Sequence, residues 1–355
     1  MKRDFPEFRA QLLAVGATFL LGLWGVLTIA SSQSTSPEPL YLVGRQFSFL
    51  LVAMVVLLAA WRVPFGFYRK NWPVLAAFCL LLLGLLPFLG VRINGMLGWF
   101  RFGEFQLQPS ELAKGIFLLA MAVVFTRFRD SRWRFGIAAL TAAVWLAPIL
   151  LQPDFGTGMI YLAAFAAIYF LAGGAWRTLG ELAGGGVLFA GLFIWRNPYA
   201  WKRITGLFHP EADPFGSGWH IRQFELAIAR GHYFGSKLGG AVWSNAYLPL
   251  SYNDSAFATM METLGLIGSL PVLFFFAILI GSLSWLALRP GRSGDARLCL
   301  GGAAAMIGIQ SLVHISVNLC LLPPTGLTLP LISYGGSSLV GTALLIGIAL
   351  SASRE

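Results

Sequence analysis

The sequence predicts an all-α integral membrane protein with about ten transmembrane helices and one long structured extracellular loop. Three observations predict this fold: the composition, the apolar runs, and the placement of basic residues between the runs. Of the 355 residues, 57% are hydrophobic and only 11% are charged, whereas soluble domains carry about 25% charged residues. Too few charges remain to cover the surface of a water-soluble protein, so the soluble, fibrous and disordered classes are excluded.

The apolar runs define the predicted spans. A helix needs about 20 apolar residues to cross a bilayer, and several of the runs are shorter than this. The runs lie at residues 10–30, 46–61, 72–89, 112–126, 136–151, 157–173, 179–195, 258–288, 298–321 and 338–352. We interpret the whole chain, residues 1–355, as a single polytopic membrane domain.

The charges of the loops predict the orientation of the chain. An even number of spans places both termini on one side of the membrane, and cytoplasmic loops carry an excess of Lys and Arg. The short loops of one side contain only Arg45, Arg92 and Arg101. The segments of the other side carry Lys2, Arg3, Arg9, Arg62, Arg69, Lys70, Arg127, Arg129, Arg132, Arg134, Arg177, Arg289, Arg292, Arg297 and Arg354. We therefore expect both termini in the cytoplasm.

Residues 196–257 form one long segment between predicted spans, on the outer side of the membrane. Loops of this length are usually functional or disordered. Disordered segments carry few aromatic residues, whereas this segment contains many. We therefore expect short amphipathic pieces that pack on the membrane face, with residues 221–230 as the best candidate helix.

The sequence lacks several kinds of chemistry. It contains no Walker A loop, no dinucleotide-binding fingerprint, no His-Glu-x-x-His and no Asp-x-Asp pair. Cys79, Cys299 and Cys320 lie inside apolar runs, far apart and without metal-ligand spacing, which is typical of small buried side chains. The net charge of +10 comes from basic clusters between apolar runs, so we expect no binding to nucleic acid. Any driving force has to come from an activated substrate or an ion gradient.

Charged residues at the start of the fourth span are candidates for a site. Glu111 and Lys114 are three residues apart, so they share a helical face and can form an ion pair. Ser110 is the predicted cap of this helix, and Gln108 lies just before it. Ionisable residues at membrane depth are costly and by default functional. Two interpretations are open: a structural ion pair that fixes the start of the helix, or part of a substrate site.

Two aspartates on the outer side are further candidates. Asp154 lies in a Gln-Pro-Asp-Phe-Gly turn before the sixth span, where it either caps the helix or lines a site. Asp254 ends the long segment just before the eighth span, where partial burial can tune a carboxylate into a general base. Capping of the eighth span is the alternative for Asp254.

The stretch between the ninth and tenth spans is rich in proline, glycine and hydroxyl residues. It runs from Leu322 to Ser338 and includes Ser333 and Gly335. Non-helical backbone at membrane depth is tolerated only where it lines a cavity or is buried in protein. We expect either a re-entrant structural loop or a loop whose amides and hydroxyls bind a phosphate.

Together these stretches resemble the SEDS family, named for shape, elongation, division and sporulation, and most closely its RodA branch. The resemblance extends over essentially the whole chain. It rests on Arg45-Gln46, Gln108 to Lys114, Gln152 to Gly156, Asp213-Pro214 with His220 and Gln223, Leu248-Pro249 with Asp254, Leu264-Gly265-Leu266, and Pro323 to Ser338.

The resemblance implies an activity and partners. Similar proteins are peptidoglycan glycosyltransferases that polymerise lipid II at the outer face of the bacterial cytoplasmic membrane, alongside a class B penicillin-binding transpeptidase. The RodA branch implies a role in cell elongation and cell shape. The expected ligands are lipid II and undecaprenyl-diphosphate-linked glycan, with membrane lipids around the spans. The family pattern makes Asp254 the essential acidic residue and pairs Glu111 with Lys114.

A single carboxylate fits the implied reaction. In an inverting transfer from a lipid diphosphate donor the leaving group departs as an anion, so one general base suffices. We predict that Asp254 is this base, and that Lys114, Arg203 or a divalent cation stabilises the diphosphate. The supporting residues predicted are Glu111, Asp154, Gln108, Ser333 and Gly335. The alternative functions are a lipid II flippase or other transporter of lipid-linked substrates, which needs a charged path open to both faces, and an inactive scaffold.

Overall fold

A computed structural model describes residues 5–34, 38–93, 95–248 and 250–355, and Lys2 and Arg3 of the predicted basic clusters lie outside these ranges. A helix coincides with each predicted span. These helices are α1 (Phe5–Ser32), α2 (Pro39–Arg62), α3 (Phe65–Leu89), α4 (Pro109–Arg127), α5 (Arg134–Leu151), α6 (Phe155–Leu171), α7 (Trp176–Arg196), α11 (Ala256–Ala287), α12 (Gly294–Asn318) and α13 (Gly336–Ala352). The long segment adds α8 (Pro198–Phe208), α9 (Trp219–Gly231) and α10 (Val242–Tyr247).

The helix lengths agree with a multi-pass membrane protein. Within the described ranges, seven helices are long and apolar enough to cross a membrane, namely α1 to α5, α11 and α12. The apolar helices α6 and α13 are shorter, with 17 residues each. Helix α7 has 21 residues, with Arg177 and Glu181 near its start. The predicted all-α membrane fold is confirmed, and the helices are roughly consistent with ten spans.

Helix α4 lies at the centre of the bundle. Almost every residue from Pro109 to Phe125 is buried. Helix α13 packs against α2 and α4, while α12 packs against α4, α6 and α11, and α1 packs against α11. Helix α13 approaches α4 so closely that a Cβ at Gly341 would overlap the main chain of Glu111. Small residues allow such close packing between membrane helices, and here they fix the first turn of α4.

A small antiparallel sheet between α3 and α4 was not predicted. Its strands β1 (Val91–Ile93), β2 (Met96–Phe102) and β3 (Phe105–Leu107) lie side by side in that order. The two outer strands have three residues each, which is too short for alternating hydrophobicity to be recognised. The sheet contacts the start of α13, because Ser337 Oγ donates a hydrogen bond of 3.0 Å to the carbonyl of Gln106.

The long segment is structured and attached to α11. Helix α9 contains the predicted helix at residues 221–230, which confirms that prediction, and it packs on α11. Glu262 of α11 is fully buried and accepts hydrogen bonds from the main-chain amides of Trp243 (2.9 Å) and Ser244 (2.8 Å). This carboxylate therefore holds the start of α10 against the bundle.

Helix α11 is interrupted at Gly265, where φ is 68°. Glycine adopts positive φ at little cost. The amides that follow the break, those of Leu266 and Ile267, donate to the carbonyls of His232 and Tyr233, each at 3.0 Å. The long segment thus supplies the acceptors that the broken helix lacks.

The end of the bundle away from α8–α10 contains a network of ion pairs. Glu7 Oε1 lies 3.0 Å from Arg292 Nη2 and 3.3 Å from Arg289 Nε. Arg69 Nη1 lies 3.5 Å from Asp295 Oδ2. These pairs join α1, α3 and α12 with the loop before α12. The basic residues of this network come from the segments that the charge pattern assigns to one side of the membrane.

Candidate active site

The residues predicted for the site all lie at the opposite end of the bundle, where α4, α6, α11 and α13 begin. They are Gln108, Glu111 and Lys114 at the start of α4, Asp154 before α6, Arg203 in α8, Asp254 before α11, and Ser333 and Gly335 before α13. The non-helical segment 319–335, between α12 and α13, connects them and is called the re-entrant loop below.

Glu111 and Lys114 form the predicted ion pair. Lys114 Nζ lies 2.7 Å from Glu111 Oε1, and the side chains are 3% and 5% exposed for Lys114 and Glu111. Within the described part of the chain, Glu111 Oε2 has no hydrogen-bond partner. Removing one member of such a pair leaves an uncompensated buried charge, which costs ~3–5 kcal/mol. The pair therefore holds the start of α4 and keeps one carboxylate oxygen available.

The predicted cap of α4 was wrong. The helix begins at Pro109 with Gln108 in the N-cap position, and Ser110 Oγ is buried without a hydrogen-bond partner in the ranges described. Proline is well suited to the first helical position because its φ is already helical and it has no N–H to satisfy. The helix consequently starts two residues earlier than the capping pattern indicated.

Lys114 also connects the ion pair to the re-entrant loop. Its Nζ donates to Gln310 Oε1 at 2.9 Å, and Gln310 Nε2 donates to the carbonyl of Thr328 at 3.0 Å. The hydroxyls of Thr328 and Ser338 are 2.9 Å apart. A continuous chain of hydrogen bonds therefore runs from α4 through α12 into the loop and on to α13.

Asp154 caps α6, as one of the two interpretations held. Its Oδ1 accepts a hydrogen bond from the amide of Thr157 at 3.0 Å. Its Oδ2 accepts one from Gln108 Nε2 at 3.2 Å, so two of the predicted residues are in direct contact. Burial raises the pKa of Asp154 above its ordinary value, and the hydrogen bond from Thr157 opposes the rise. The neighbouring Gln152 is buried, and neither polar atom of its amide has a partner among the described residues.

Asp254 lies just outside α11, where Ser255 occupies the N-cap position without a side-chain capping hydrogen bond, so the prediction that Asp254 takes the capping position was wrong. The carboxylate lies against the re-entrant loop: a Cβ built on Gly326 would be 3.8 Å from Asp254 Oδ2. Arg203 Nη1 donates a hydrogen bond of 2.7 Å to the carbonyl of Pro324 in the same loop. Burial raises the pKa of Asp254 to about 6, and the charge of Arg203 opposes this rise. A carboxylate with such a pKa is suited to general base catalysis near neutral pH.

Ser333 and Gly335 hold the re-entrant loop in place. Ser333 Oγ donates to the carbonyl of Asn253 at 2.7 Å and accepts from the amide of Leu329 at 2.8 Å. The amide of Gly335 is 3.4 Å from Gln46 Oε1. These groups are thus engaged inside the protein, which favours the structural interpretation of the loop over direct phosphate binding. Through Asn253, Ser333 also connects the loop to the segment that carries Asp254.

Three polar residues of α12 were missed in the sequence analysis. Gln310, His314 and Asn318 are buried and spaced four residues apart, so they share one face of the helix. That face points to the re-entrant loop, since Gln310 bonds to Thr328 and His314 Nδ1 lies 2.7 Å from the carbonyl of Leu327. A polar stripe inside an apolar span is itself a signal of function, and it was present in the sequence.

The described residues contain no group of three or more His, Cys, Asp or Glu side chains that could hold a metal ion. The prediction of a divalent cation therefore stays a prediction. Two of the cations predicted for the site are Lys114, which is already paired with Glu111, and Arg203, whose charge acts on Asp254.

Comparison with known proteins gives one family over the whole chain. The family model of the FtsW, RodA and SpoVE proteins, described as cell cycle proteins, matches residues 9–355. The probable peptidoglycan glycosyltransferase FtsW of Nitrosococcus halophilus (strain Nc4) is 35% identical over 356 residues, covering 96% of this chain and 90% of the relative.

Solved structures agree over the full length. A chain of a peptidoglycan synthase complex, studied for the coordination of polymerization and crosslinking, is similar with a TM-score of 0.79 and 29% identity, covering 100% of this chain and 98% of that chain. The rod shape determining protein RodA of Thermus thermophilus is similar with a TM-score of 0.69 and 28% identity, covering 100% of this chain and 97% of that chain. The chain therefore belongs to the SEDS family, the family of FtsW and RodA.

Proposed function

We propose that the protein is a peptidoglycan glycosyltransferase that polymerises lipid II into glycan strands at the outer face of the bacterial cytoplasmic membrane. The observation that carries this proposal is Asp254, a carboxylate with a raised pKa that lies against the re-entrant loop, to which the cation Arg203 also bonds. The names of the FtsW relatives support the activity.

The reaction needs one base and one source of positive charge. The C4 hydroxyl of the acceptor lipid II attacks the anomeric carbon of the donor glycan, and a new glycosidic bond forms with inversion. Asp254 accepts the hydroxyl proton, while the bond from the anomeric carbon to the diphosphate oxygen breaks. Undecaprenyl diphosphate leaves with the electron pair of that bond, so its charge requires stabilisation more than protonation.

Arg203 is the better placed cation for the diphosphate. It lies on the same side of the re-entrant loop as Asp254, and its charge acts on that carboxylate. Lys114 is buried and bonds to Glu111 and Gln310, so we assign it to the wall of the site. Asp154 and Gln108, which bond to each other, extend that wall.

The test is polymerisation of labelled lipid II by the purified protein together with its cognate class B penicillin-binding transpeptidase. Wild type should form glycan strands, and Asp254→Ala should form none at equal amounts of folded protein. Asp130→Ala is the matched control, because Asp130 is exposed in the loop between α4 and α5 at the other end of the bundle. Omission and addition of Mg²⁺ in the same assay tests the predicted divalent cation.

A transporter gives a different outcome. Lipid II movement across liposomes that persists in Asp254→Ala, without polymer from either protein, would replace the glycosyltransferase by a flippase. The paired charges at the other end of the bundle support the enzyme, since a transporter requires a polar path that is open to both faces.

The transpeptidase partner and the cellular process form the finer part of the proposal. Similarity to a chain of a peptidoglycan synthase complex supports a partner that crosslinks the product. The relatives named FtsW favour cell division, whereas the RodA structures favour the elongation role predicted from the sequence. Depletion in the native host separates the two: loss of a division enzyme gives filaments, and loss of an elongation enzyme gives rounded cells.

We further propose that both termini are cytoplasmic and that residues 196–257 lie outside the cell. The clustering of basic residues at the end that carries Glu7 and Arg292 supports this orientation. Labelling of single cysteines in intact cells checks it: a membrane-impermeant thiol reagent should modify Phe215→Cys, in the long segment, and spare Asp130→Cys.

A further inference from the structure

The last turn of α12 contacts both main-chain segments that frame Asp254. His314 and Asn318 lie one turn apart on the face of α12 that points to the re-entrant loop, and they are 1% and 0% exposed. Neither side chain is charged in the arrangement described below. Together the two side chains have four atoms that can form hydrogen bonds. Because buried polar atoms are normally hydrogen-bonded, the partners of these atoms indicate the role of the two residues.

Asn318 holds the segment that carries Asp254. Its Nδ2 donates to the carbonyl of Asp254 at 3.0 Å, and its Oδ1 accepts from the amide of Ala258 at 2.9 Å. The amide of Ala258 is among the first N–H groups of α11, which have no partner within the helix. One side-chain amide therefore fixes the main chain on both sides of the start of α11.

His314 holds the opposite segment. Its Nδ1 lies 2.7 Å from the carbonyl of Leu327, and a carbonyl only accepts, so Nδ1 carries the proton. Asn318 Nδ2 donates to the carbonyl of His314 at 3.0 Å as well as to that of Asp254, and His314 Nε2, which is then an acceptor, lies 3.3 Å from the same nitrogen and shares its hydrogens. The two side chains are consistent with one neutral tautomer of His314, and they fix each other.

The two held segments face each other across the carboxylate. Leu327 directly follows Gly326, the residue that lies against Asp254 Oδ2. Displacement of either segment changes the position of the carboxylate relative to the loop and to Arg203. Displacements of about 1 Å remote from the reacting atoms can lower rates by about 100-fold.

We propose that His314 and Asn318 are positioning residues for Asp254, which fix the distance between its carboxylate and the Gly326 side of the re-entrant loop. This inference rests on the proposed function, in which Asp254 is the base. It assigns no contact with substrate to either residue. The polar stripe of α12 is thus divided: Gln310 supports the Lys114 side of the loop, and His314 and Asn318 support the Asp254 side.

The charges around Asp254 come from few elements. Arg203 on α8 opposes the rise in the pKa of Asp254 that burial causes. His220 on α9 is close to Arg203, and burial together with that arginine lowers the pKa of His220. His314 on α12 is reached through Asn318. A looser Asp254 segment admits water, so the pKa of Asp254 should fall towards the ordinary value of an aspartate, about 4.

The experiment compares lipid II polymerisation by the protein with its transpeptidase for wild type, Asn318→Ala, His314→Leu and His314→Asn. We expect Asn318→Ala and His314→Leu to lower kcat about tenfold or more, with KM changed less than about twofold. The midpoint of the acidic limb of the pH profile should move down. His314→Asn should recover most of the rate, because the amide nitrogen of asparagine can take the place of Nδ1 and donate to Leu327.

Ser311→Ala is the matched control, since Ser311 lies on α12 one turn before His314 and two turns before Asn318, and its hydroxyl has no hydrogen-bond partner in the described ranges. It should leave kcat and the midpoint unchanged. Three results would each overturn the positioning role. They are a rate that changes only in proportion to the amount of folded protein, an unchanged midpoint of the acidic limb of the pH profile, and a His314→Asn variant as slow as His314→Leu. If Asn318→Ala does not fold, His314→Leu and His314→Asn decide the matter by the same readouts.

Failure of the proposed function looks different in the same assay. Polymer from wild type and none from Asp254→Ala keeps the proposed function, whatever His314 and Asn318 do. Equal polymer from wild type and Asp254→Ala removes the base, and the positioning role with it.

Discussion

At one end of the bundle, Glu7 is held between Arg289 and Arg292, and Arg69 approaches Asp295, so each carboxylate has a guanidinium within 3.5 Å. At the other end, the carboxylates are held differently. Asp254 lies against the main chain of the re-entrant loop, Asp154 accepts from a helix amide and from Gln108, and Glu111 keeps one oxygen without a partner among the described residues.

The difference separates stabilising charges from chemical ones. In each of these ion pairs at least one member is partly exposed, with Glu7 at 27% and Arg69 at 46%, so the pairs stabilise the bundle by smaller amounts than a fully buried pair. Buried carboxylates with raised pKa values and polar atoms without partners are costly to maintain, and such groups are concentrated at functional sites. Substitutions at the end that contains Asp254 should therefore lower the activity per folded molecule. Substitutions at the end that contains Glu7 should leave this activity unchanged.

The largest effect is expected from Asp254→Asn. This substitution keeps the size of the side chain but removes the base, so the rate of polymerisation should fall by about 10²–10⁴. The melting temperature in detergent should stay close to that of wild type, because Asp254 lies outside the N-cap position of α11, which Ser255 occupies. Asp254→Glu, which keeps the carboxylate but moves it by one methylene, should be intermediate. A rate near that of wild type for Asp254→Asn would move the search for the base to Glu111 and Asp154.

The second largest effect is expected from substitution of Lys114 in the Glu111–Lys114 ion pair. Lys114→Met leaves Glu111 buried without its cation, so the protein should lose ~3–5 kcal/mol of stability and most of its activity. The double variant Glu111→Gln, Lys114→Met should recover stability but not activity. Arg177→Met is the control, since the Arg177–Glu181 pair has the same chemistry at 90% and 62% exposure and should contribute nothing measurable. Recovery of activity in the double variant would leave the pair a structural role only.

The sequence predicted the fold and much of the site because the relevant patterns are local. Apolar runs define the spans, and the i, i+3 spacing of Glu111 and Lys114 places them on one face of α4. The capping alternative for Asp154 was likewise visible in the turn before α6.

Other features depend on contacts between distant parts of the chain. The hydrogen bond between Asn318 and the carbonyl of Asp254 joins residues that are 64 positions apart in the sequence. The one between Lys114 and Gln310 joins residues that are 196 positions apart. No local pattern specifies such pairs. The incorrect cap at Ser110 has a local cause, because Pro109 takes the first helical position and moves the N-cap to Gln108.

The pH dependence is the third test of the comparison. Asp254 acts as a base only when deprotonated, and burial raises its pKa to about 6. The value of kcat/KM should therefore be constant above about pH 7 and fall about tenfold for each pH unit below 6. Measurement of initial rates between about pH 4.5 and 8 checks this. An acidic limb centred near 4 would show that the carboxylate is solvated during the reaction.

The smallest effect on activity is expected at the end of the bundle where Glu7 pairs with Arg289 and Arg292. The same substitution, glutamate to glutamine, made at each end sharpens the comparison. Glu7→Gln removes a carboxylate that is 27% exposed but pairs with Arg292, which is 4% exposed, so stability should fall by less than the ~3–5 kcal/mol of a fully buried pair, and activity per folded molecule should not change. Glu111→Gln is the same chemical change at the site, where it leaves Lys114 buried without its carboxylate. The two variants, compared by thermal unfolding and by the rate of polymerisation, should differ far more in rate per folded molecule than in expression. Equal loss of activity from both would mean that the end that contains Glu7 takes part in the reaction cycle, and that the two ends cannot be separated into stabilising and chemical charges.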